Sequence, residues 1–205
     1  MREIAAATHN EGKLRELRAL LAPAGFSLAS LFELGVSEGP EETGASFAEN
    51  ALLKARFAVA RTGRPAFADD SGLEVRVLGG APGVRSARFG APEAVTDADR
   101  AELLLRRMEG ERDRDARFVC CVVLLFPDGQ CYTAEGVCRG EITRAPRGCD
   151  GFGYDPVFFL PEHGLTLAEA SEELKNAVSH RGRAVQNLLR NIMERDENAL
   201  QEGIL

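Results

Sequence analysis

Tryptophan is absent from the 205 residues, tyrosine occurs twice and histidine three times. His9, His163 and His180 lack the mutual spacing of a zinc site. The five cysteines, Cys120, Cys121, Cys131, Cys138 and Cys149, are odd in number and form no C-x-x-C pair. That excludes a complete disulfide framework and the common metal and redox patterns, so they read as reduced, small apolar residues. The chain lacks an apolar run long enough to cross a bilayer, and no signal-peptide core follows Met1-Arg2-Glu3. The expectation is a cytoplasmic protein with no membrane partner. A basic excess is missing too: the net charge is -7 and the pI about 5.2. This argues against a nucleic acid polymer as partner, because its phosphates require a broad basic face. A small phosphate ligand needs only a few local cations and stays open.

What is present is an ordinary globular balance, 44% hydrophobic and 28% charged. The length predicts one domain, or one domain of two lobes over residues 1–205, with a flexible tail over 196–205. An apolar run over Glu3 to Ala7 leads into a periodic stretch with Leu14, Leu17, Leu20 and Leu21 on one face, a strand and then a helix capped by Asn10. A short strand over Phe26 to Ala29 and a Gly- and Glu-containing loop from Gly35 to Gly44 precede a helix over Ser46 to Arg61. Strand, acidic turn and second strand are expected over Pro65 to Leu78, then a helix from Thr96 or Asp97 to Met108. Phe118 to Phe126 and Cys131 to Val137 flank Pro127-Asp128-Gly129-Gln130 as a hairpin. Further strands are expected over Glu141 to Arg144 and Pro156 to Leu160, and helices over Leu167 to Ala177 and Arg183 to Arg195. Alternating strands and helices followed by a hairpin give an α/β domain with a mixed sheet.

Ala68-Asp69-Asp70-Ser71-Gly72 places two adjacent carboxylates between apolar runs. Like charges there need a cation, a shared proton or a hydrogen-bonded turn. The residues alone serve a tight acidic turn as well as a catalytic centre. Thr8-His9-Asn10-Glu11-Gly12-Lys13 sits where a strand meets a helix start, a place that attracts anions. Lys13 in the first turn opposes the helix dipole unless an anion offsets it. Glu41-Glu42-Thr43-Gly44 adds carboxylates before the second helix, and Glu42 serves either that helix start or, with Asp69 and Asp70, an oxygen-ligated cation. Asn50 and Lys54 share a helix face, with a solvated polar face an equal explanation. Gly151-Phe152-Gly153-Tyr154-Asp155-Pro156 combines close backbone approach with an aromatic stacking surface. Lys175, Ser179, His180 and Arg181 gather at a helix junction, and Gly80 to Phe89 is a glycine-rich stretch with two arginines that suits phosphates or a partner surface.

In order, Thr8-x-Asn10-x-x-Lys13, Glu41-Glu42-Thr43-Gly44, Phe47-x-Glu49-Asn50-Ala51-x-x-Lys54, Ala68-Asp69-Asp70-Ser71-Gly72-Leu73, Gly80-Ala81-Pro82-Gly83-Val84, Gly151 to Pro156 and Ser179-His180-Arg181 resemble the inosine/xanthosine triphosphate pyrophosphatase family. The resemblance runs from Thr8 to Arg181. It implies a homodimer of elongated mixed-sheet subunits, each with two lobes around a central cleft. It also implies Mg²⁺-dependent hydrolysis of ITP, dITP and XTP to the monophosphate and pyrophosphate. On matching positions it implies Asp70 as proton acceptor and metal ligand and Glu42 as metal ligand. It further implies Thr8, His9, Asn10, Glu11, Gly12, Lys13 and Ser71 around the triphosphate and Phe152, Gly153, Tyr154, Asp155, Lys175, His180 and Arg181 as substrate-binding positions; Lys54 joins them as a cation suited to the charge of the leaving pyrophosphate. Asp69 is left as a supporting carboxylate. A septum-inhibitor type pyrophosphatase would lack the Phe-Gly-Tyr-Asp and Ser-His-Arg blocks, a non-turnover nucleotide sensor has no need of the intact Asp69-Asp70 with Glu42, and the Glu-rich helix signature of a Nudix hydrolase is absent.

Overall fold

The computed structural model describes residues 2–201, with side chains for residues 3–195. Strand β1 (Arg2–Ala6) runs into helix α1 (Glu11–Leu21), where the Asn10 side chain caps the start by accepting from the Lys13 N–H. Strand β2 (Phe26–Ser30) pairs parallel with β1. Helix α2 (Phe47–Thr62) is capped by Ser46 at one end and stopped at the other by Gly63 in the left-handed region. Its small residues Ala51, Ala55 and Ala58 are buried on one face, as their spacing requires. Strand β3 (Ala66–Val75) pairs parallel with β1 on the side away from β2. Helix α3 (Asp97–Arg107) begins with a full capping box between Thr96 and Asp99.

Strands β4 (Asp115–Leu125) and β5 (Cys131–Ile142) form the expected hairpin, closed by the Phe126 N–H to the Gln130 carbonyl. Strands β6 (Phe158–Leu160) and β7 (Leu165–Thr166) continue antiparallel from β5, so the seven-stranded sheet has the mixed order β2-β1-β3-β4-β5-β6-β7. Helices α4 (Glu172–Val178) and α5 (His180–Gln201) complete the described residues. No helix among them is long and apolar enough to cross a membrane.

The chain divides into two compact units. The first holds Met1–Asp70, Cys120–Gly136 and His180–Leu205, around a core that includes Ile4, Leu17, Phe67, Val122 and Leu188. The second holds Ser71–Val119 and Val137–Ser179, around Leu73, Leu104, Met108, Phe118 and Phe158. Within it, the Phe118 and Phe158 rings lie 4.7 Å apart between centroids.

Several boundaries differ from the sequence expectation. No turn interrupts Asp69-Asp70, because β3 runs unbroken from Ala66 to Val75 and the two carboxylates find cations on opposite faces of the strand. The separate strand expected at Glu141 to Arg144 is the end of β5, which stays paired through Ile142 to Phe158. The helix expected from Leu167 starts at Glu172, since the N–H groups of Leu167 and Ala168 are taken by the Phe158 and Asp155 carbonyls. Helix α5 starts at His180 rather than Arg183, which places Arg181 in its first turn. It also continues through Gln201 where a flexible tail was expected from 196, and residues 202–205 lie outside the described residues.

Candidate active site

Asp69 and Asp70 occupy consecutive positions of a buried strand, so their side chains leave on opposite faces. On one face, Asp69 Oδ2 receives Lys13 Nζ of α1 at 3.1 Å and Arg181 Nε and Nη2 of α5 at 3.2 and 3.0 Å. Arg181 Nη1 donates to Glu16 Oε2 at 2.5 Å. Lys13 and Glu16 are three apart on α1 and grip the same Arg181–Asp69 pair from one helix face. Lys13 therefore has its anion in Asp69, a partner for the cation that the helix dipole disfavours.

On the other face, Lys54 Nζ of α2 meets three oxygens: Asp70 Oδ1 at 2.7 Å, Glu42 Oε1 at 2.8 Å and the Asp69 carbonyl at 3.0 Å. An ammonium has three N–H donors, and these partners match that number. Asn50, one helical turn before Lys54, is buried; its amide donates to Asp70 Oδ2 at 3.2 Å and accepts the Gly44 N–H at 2.8 Å. It thereby ties the loop carrying Glu42 to the strand carrying Asp70. Asn50 is not a solvated face residue; it is buried against Asp70.

The environments drive the two aspartates apart. Burial pushes the Asp69 carboxyl up, but Lys13, Arg181 and Lys54 together overcome it and hold the group well below the usual carboxylate range. For Asp70 burial wins over Lys54 and Lys13, with Glu42 adding repulsion, and its pKa is raised. Burial likewise opposes the charge of Lys54, yet Asp70 and Asp69 keep its pKa above the ordinary lysine value. One aspartate is a fixed anion and its neighbour is the more basic group, the separation that acid–base chemistry uses.

Buried Cys120 lies beside Asp69, with Sγ 4.0 Å from Oδ2, and burial raises its thiol far above the normal range. Thr8 Oγ1 accepts the Asn10 N–H at 3.1 Å, and His9 Nε2 lies 3.2 Å from the Glu38 carbonyl. Glu11 and Gly12 form the first turn of α1, and Ser71 follows Asp70 on β3.

A second cluster lies wholly in the other unit. Asp155 Oδ2 accepts from the Phe152 N–H at 3.0 Å and from Lys175 Nζ at 2.7 Å, and Lys175 Nζ stands 4.9 Å from the Phe152 ring centroid. Gly151 has φ +81°, and a Cβ there would lie 2.3 Å from Asp155 Oδ2, so only glycine allows this turn. The N–H of Gly153 donates to Asp97 Oδ2 at 2.7 Å. Tyr154 is buried, its hydroxyl donates to the Ser86 carbonyl at 2.9 Å, and burial raises its pKa strongly. Tyr154 thus anchors the loop from within. His180 belongs to the first unit and is buried at the start of α5.

Sequence reasoning passed over Glu16, which reads as an ordinary surface acid, and left Asn50 undecided. The signal for both was their spacing, Glu16 three residues after Lys13 and Asn50 four before Lys54.

The Ham1 family model matches residues 4–191. The chain is 51% identical over 190 residues to a dITP/XTP pyrophosphatase of Thermus thermophilus, covering 91% of this chain and 90% of that protein. It is 49% identical over 193 residues to one from Escherichia coli O157:H7, covering 92% and 97%. The solved structure of a HAM1 protein from Coxiella burnetii superposes with a TM-score of 0.83 at 43% identity, covering 95% of this chain and all of that one. That of a nucleoside-triphosphatase, dITP/XTP pyrophosphatase, from Mycobacterium abscessus gives 0.71 at 43% identity, covering 91% and 97%. A family model spanning most of the chain and relatives near half identity along almost its whole length agree: this chain belongs to the Ham1 family.

Proposed function

We propose that this protein hydrolyses deaminated purine nucleoside triphosphates, ITP, dITP and XTP, to the monophosphate and pyrophosphate, using Mg²⁺, and so clears them from the nucleotide pool. The observation that carries the reading is the split pair in β3, with Asp69 held as an anion and Asp70 raised beside Lys54 and Glu42. It is supported by the names of relatives near half identity, dITP/XTP pyrophosphatases.

The residues fit a magnesium ion. Asp70 and Glu42 converge on one cation, the Lys54 ammonium, so two carboxylate oxygens already face a common positive charge. Among the described residues no cluster of three or more His, Cys, Asp or Glu is arranged to hold a metal. Two carboxylates suit magnesium, which keeps water and substrate phosphate in its remaining positions. Asp70 and Glu42 would hold it, and when bound it would neutralise charge developing on the leaving pyrophosphate.

The chain's own groups account for the rest. Asp70 takes the proton of the water that attacks the α-phosphorus, a task suited to a carboxylate whose basicity is raised. Lys54 orients Asp70 and Glu42 and adds positive charge. Thr8, His9, Asn10, Glu11, Gly12, Lys13 and Ser71 are assigned to the triphosphate, with the α1 N-terminus supplying N–H groups for phosphate oxygens. Phe152, Gly153, Tyr154, Asp155, Lys175, His180 and Arg181 are assigned to substrate binding, and Arg181 also holds Asp69. Hypoxanthine and xanthine present an acceptor at O6 and a donor at N1, the reverse of adenine. Buried polar groups matched to that edge reject adenine by up to ~10⁴-fold. A homodimer and a cytoplasmic location complete the reading.

The test is incubation with MgCl₂ and ITP, XTP, dTTP or ATP, followed by separate assays of pyrophosphate and orthophosphate. Pyrophosphate from ITP and XTP is expected; orthophosphate as the product, or equal rates on ATP and ITP, overturns the reading.

A further inference from the structure

The glycine-rich stretch from Gly80 to Phe89 has no role in the reaction as described, and in sequence it suited phosphates or a partner. Its short 3₁₀ turn, Gly83–Arg88, instead buries one polar side chain, Ser86. Ser86 Oγ donates to the Gly83 carbonyl at 2.6 Å and accepts the Leu73 N–H at 2.9 Å. The Ser86 carbonyl accepts the Tyr154 hydroxyl at 2.9 Å. Leu73 lies two residues after Ser71 in β3, and Tyr154 lies between Phe152 and Asp155. A single residue therefore holds two segments that both carry proposed substrate-binding groups.

We propose that Ser86 is a positioning residue, bracing the Ser71–Leu73 end of β3 against the Phe152–Asp155 loop; the proposal rests on the pyrophosphatase reading. The chemistry requires a hydroxyl, which donates and accepts through one atom. Alanine would leave the buried Leu73 N–H and the half-buried Gly83 carbonyl without this partner. The loop is also held by the Gly153 N–H on Asp97 at the start of α3 and by Lys175 and the Ala168 N–H on Asp155, but these do not reach the 3₁₀ turn, which Tyr154 meets through its hydroxyl. Placement matters because groups that orient a substrate lose effectiveness when displaced by about an ångström.

The test compares wild type, Ser86→Ala and Tyr154→Phe as full chains with Mg²⁺ and ITP, with hydrogen exchange of the same proteins without nucleotide. In both variants KM for ITP is expected to rise about tenfold with kcat changed less than about threefold. Exchange is expected to quicken at residues 152–155 as well as at Leu73 in Ser86→Ala. A wild-type KM in Ser86→Ala, or faster exchange confined to Leu73 and its neighbours, overturns the brace. Should Ser86→Ala fail to fold, hydrogen exchange in Tyr154→Phe decides, since this variant removes the hydroxyl bond to the Ser86 carbonyl: unchanged exchange at 152–155 overturns the proposal. A wild-type protein inert toward ITP overturns the pyrophosphatase reading instead, while the exchange data still decide the brace.

Discussion

Asp69 and Asp70 are neighbours in β3, and their carboxylates reach separate sets of cations: Lys13 and Arg181 for the first, Lys54 for the second. The strand pleat produces this division, since consecutive side chains leave on opposite faces. It resolves the repulsion of adjacent charges without a turn, and it gives the two groups opposite shifts in acidity.

Asp70→Asn should remove the base while preserving shape. Activity on ITP is expected to fall by about 10²–10⁴-fold, the usual contribution of a positioned base. Folding should be unharmed at neutral pH, because burial disfavours the charge that the substitution deletes. Steady-state kinetics beside urea unfolding check both, and retained activity would remove Asp70 from the chemistry.

Asp69→Asn should have the reverse character. It leaves the buried Arg181 and the Lys13 ammonium without their shared anion. Breaking a buried pair in this way destabilises by about 3–5 kcal/mol. The sign with pH follows from a lowered folded-state pKa: the stabilisation is present in full above the unfolded value of ~3.9 and is lost as pH falls toward the folded one. Urea midpoints of the metal-free protein below pH ~4 should fall for wild type and fall less steeply for the variant. Equal slopes would contradict the assignment.

Lys54→Met should raise the pKa of Asp70 further, because Lys54 is the largest influence holding it down. Carboxyl chemical shifts recorded by NMR on the metal-free protein would show Asp70 titrating at higher pH in the variant. A shift to lower pH would mean that Lys54 does not set its charge.

Gly136→Ala probes the seat of α5. A Cβ at Gly136 would lie 2.2 Å from the His180 carbonyl oxygen and 2.3 Å from the Ala184 nitrogen, both backbone atoms. The first turn of α5 must then shift, taking Arg181 with it. Overpacking of this kind costs about 1–3 kcal/mol. Thermal unfolding should report that loss, and kcat should fall in the part of the population that remains folded. A variant with unchanged stability would show that the strand and helix can separate freely.

Much of this was legible in the residues. Asn10 as the cap of α1, and the starts of α2 near Ser46 and of α3 at Thr96 or Asp97, were readable because a cap is a local hydrogen bond between groups a few positions apart. The hairpin around Asp128-Gly129 was readable for the same reason. The start of α4 was misplaced because the amides of Leu167 and Ala168 bond to carbonyls distant in sequence. Glu16 escaped and Asn50 stayed undecided for a related reason, since spacing alone does not reveal the Arg181 and Asp70 groups that meet them from other elements.

By itself the sequence determined which chemical groups are present and in what order: the paired aspartates, the lysine at a helix start, the aromatic glycine loop and the Ser-His-Arg block. Local rules of spacing and capping then fixed most helices and strands. Only the tertiary structure decided what Asp69-Asp70 would be. Backbone propensity favours a turn for such residues, but cations from α1, α2 and α5 neutralise the charges where they stand, and the strand passes straight through. The acidity of each aspartate depends on desolvation and on charges distant in the chain, quantities that no local pattern of residues contains.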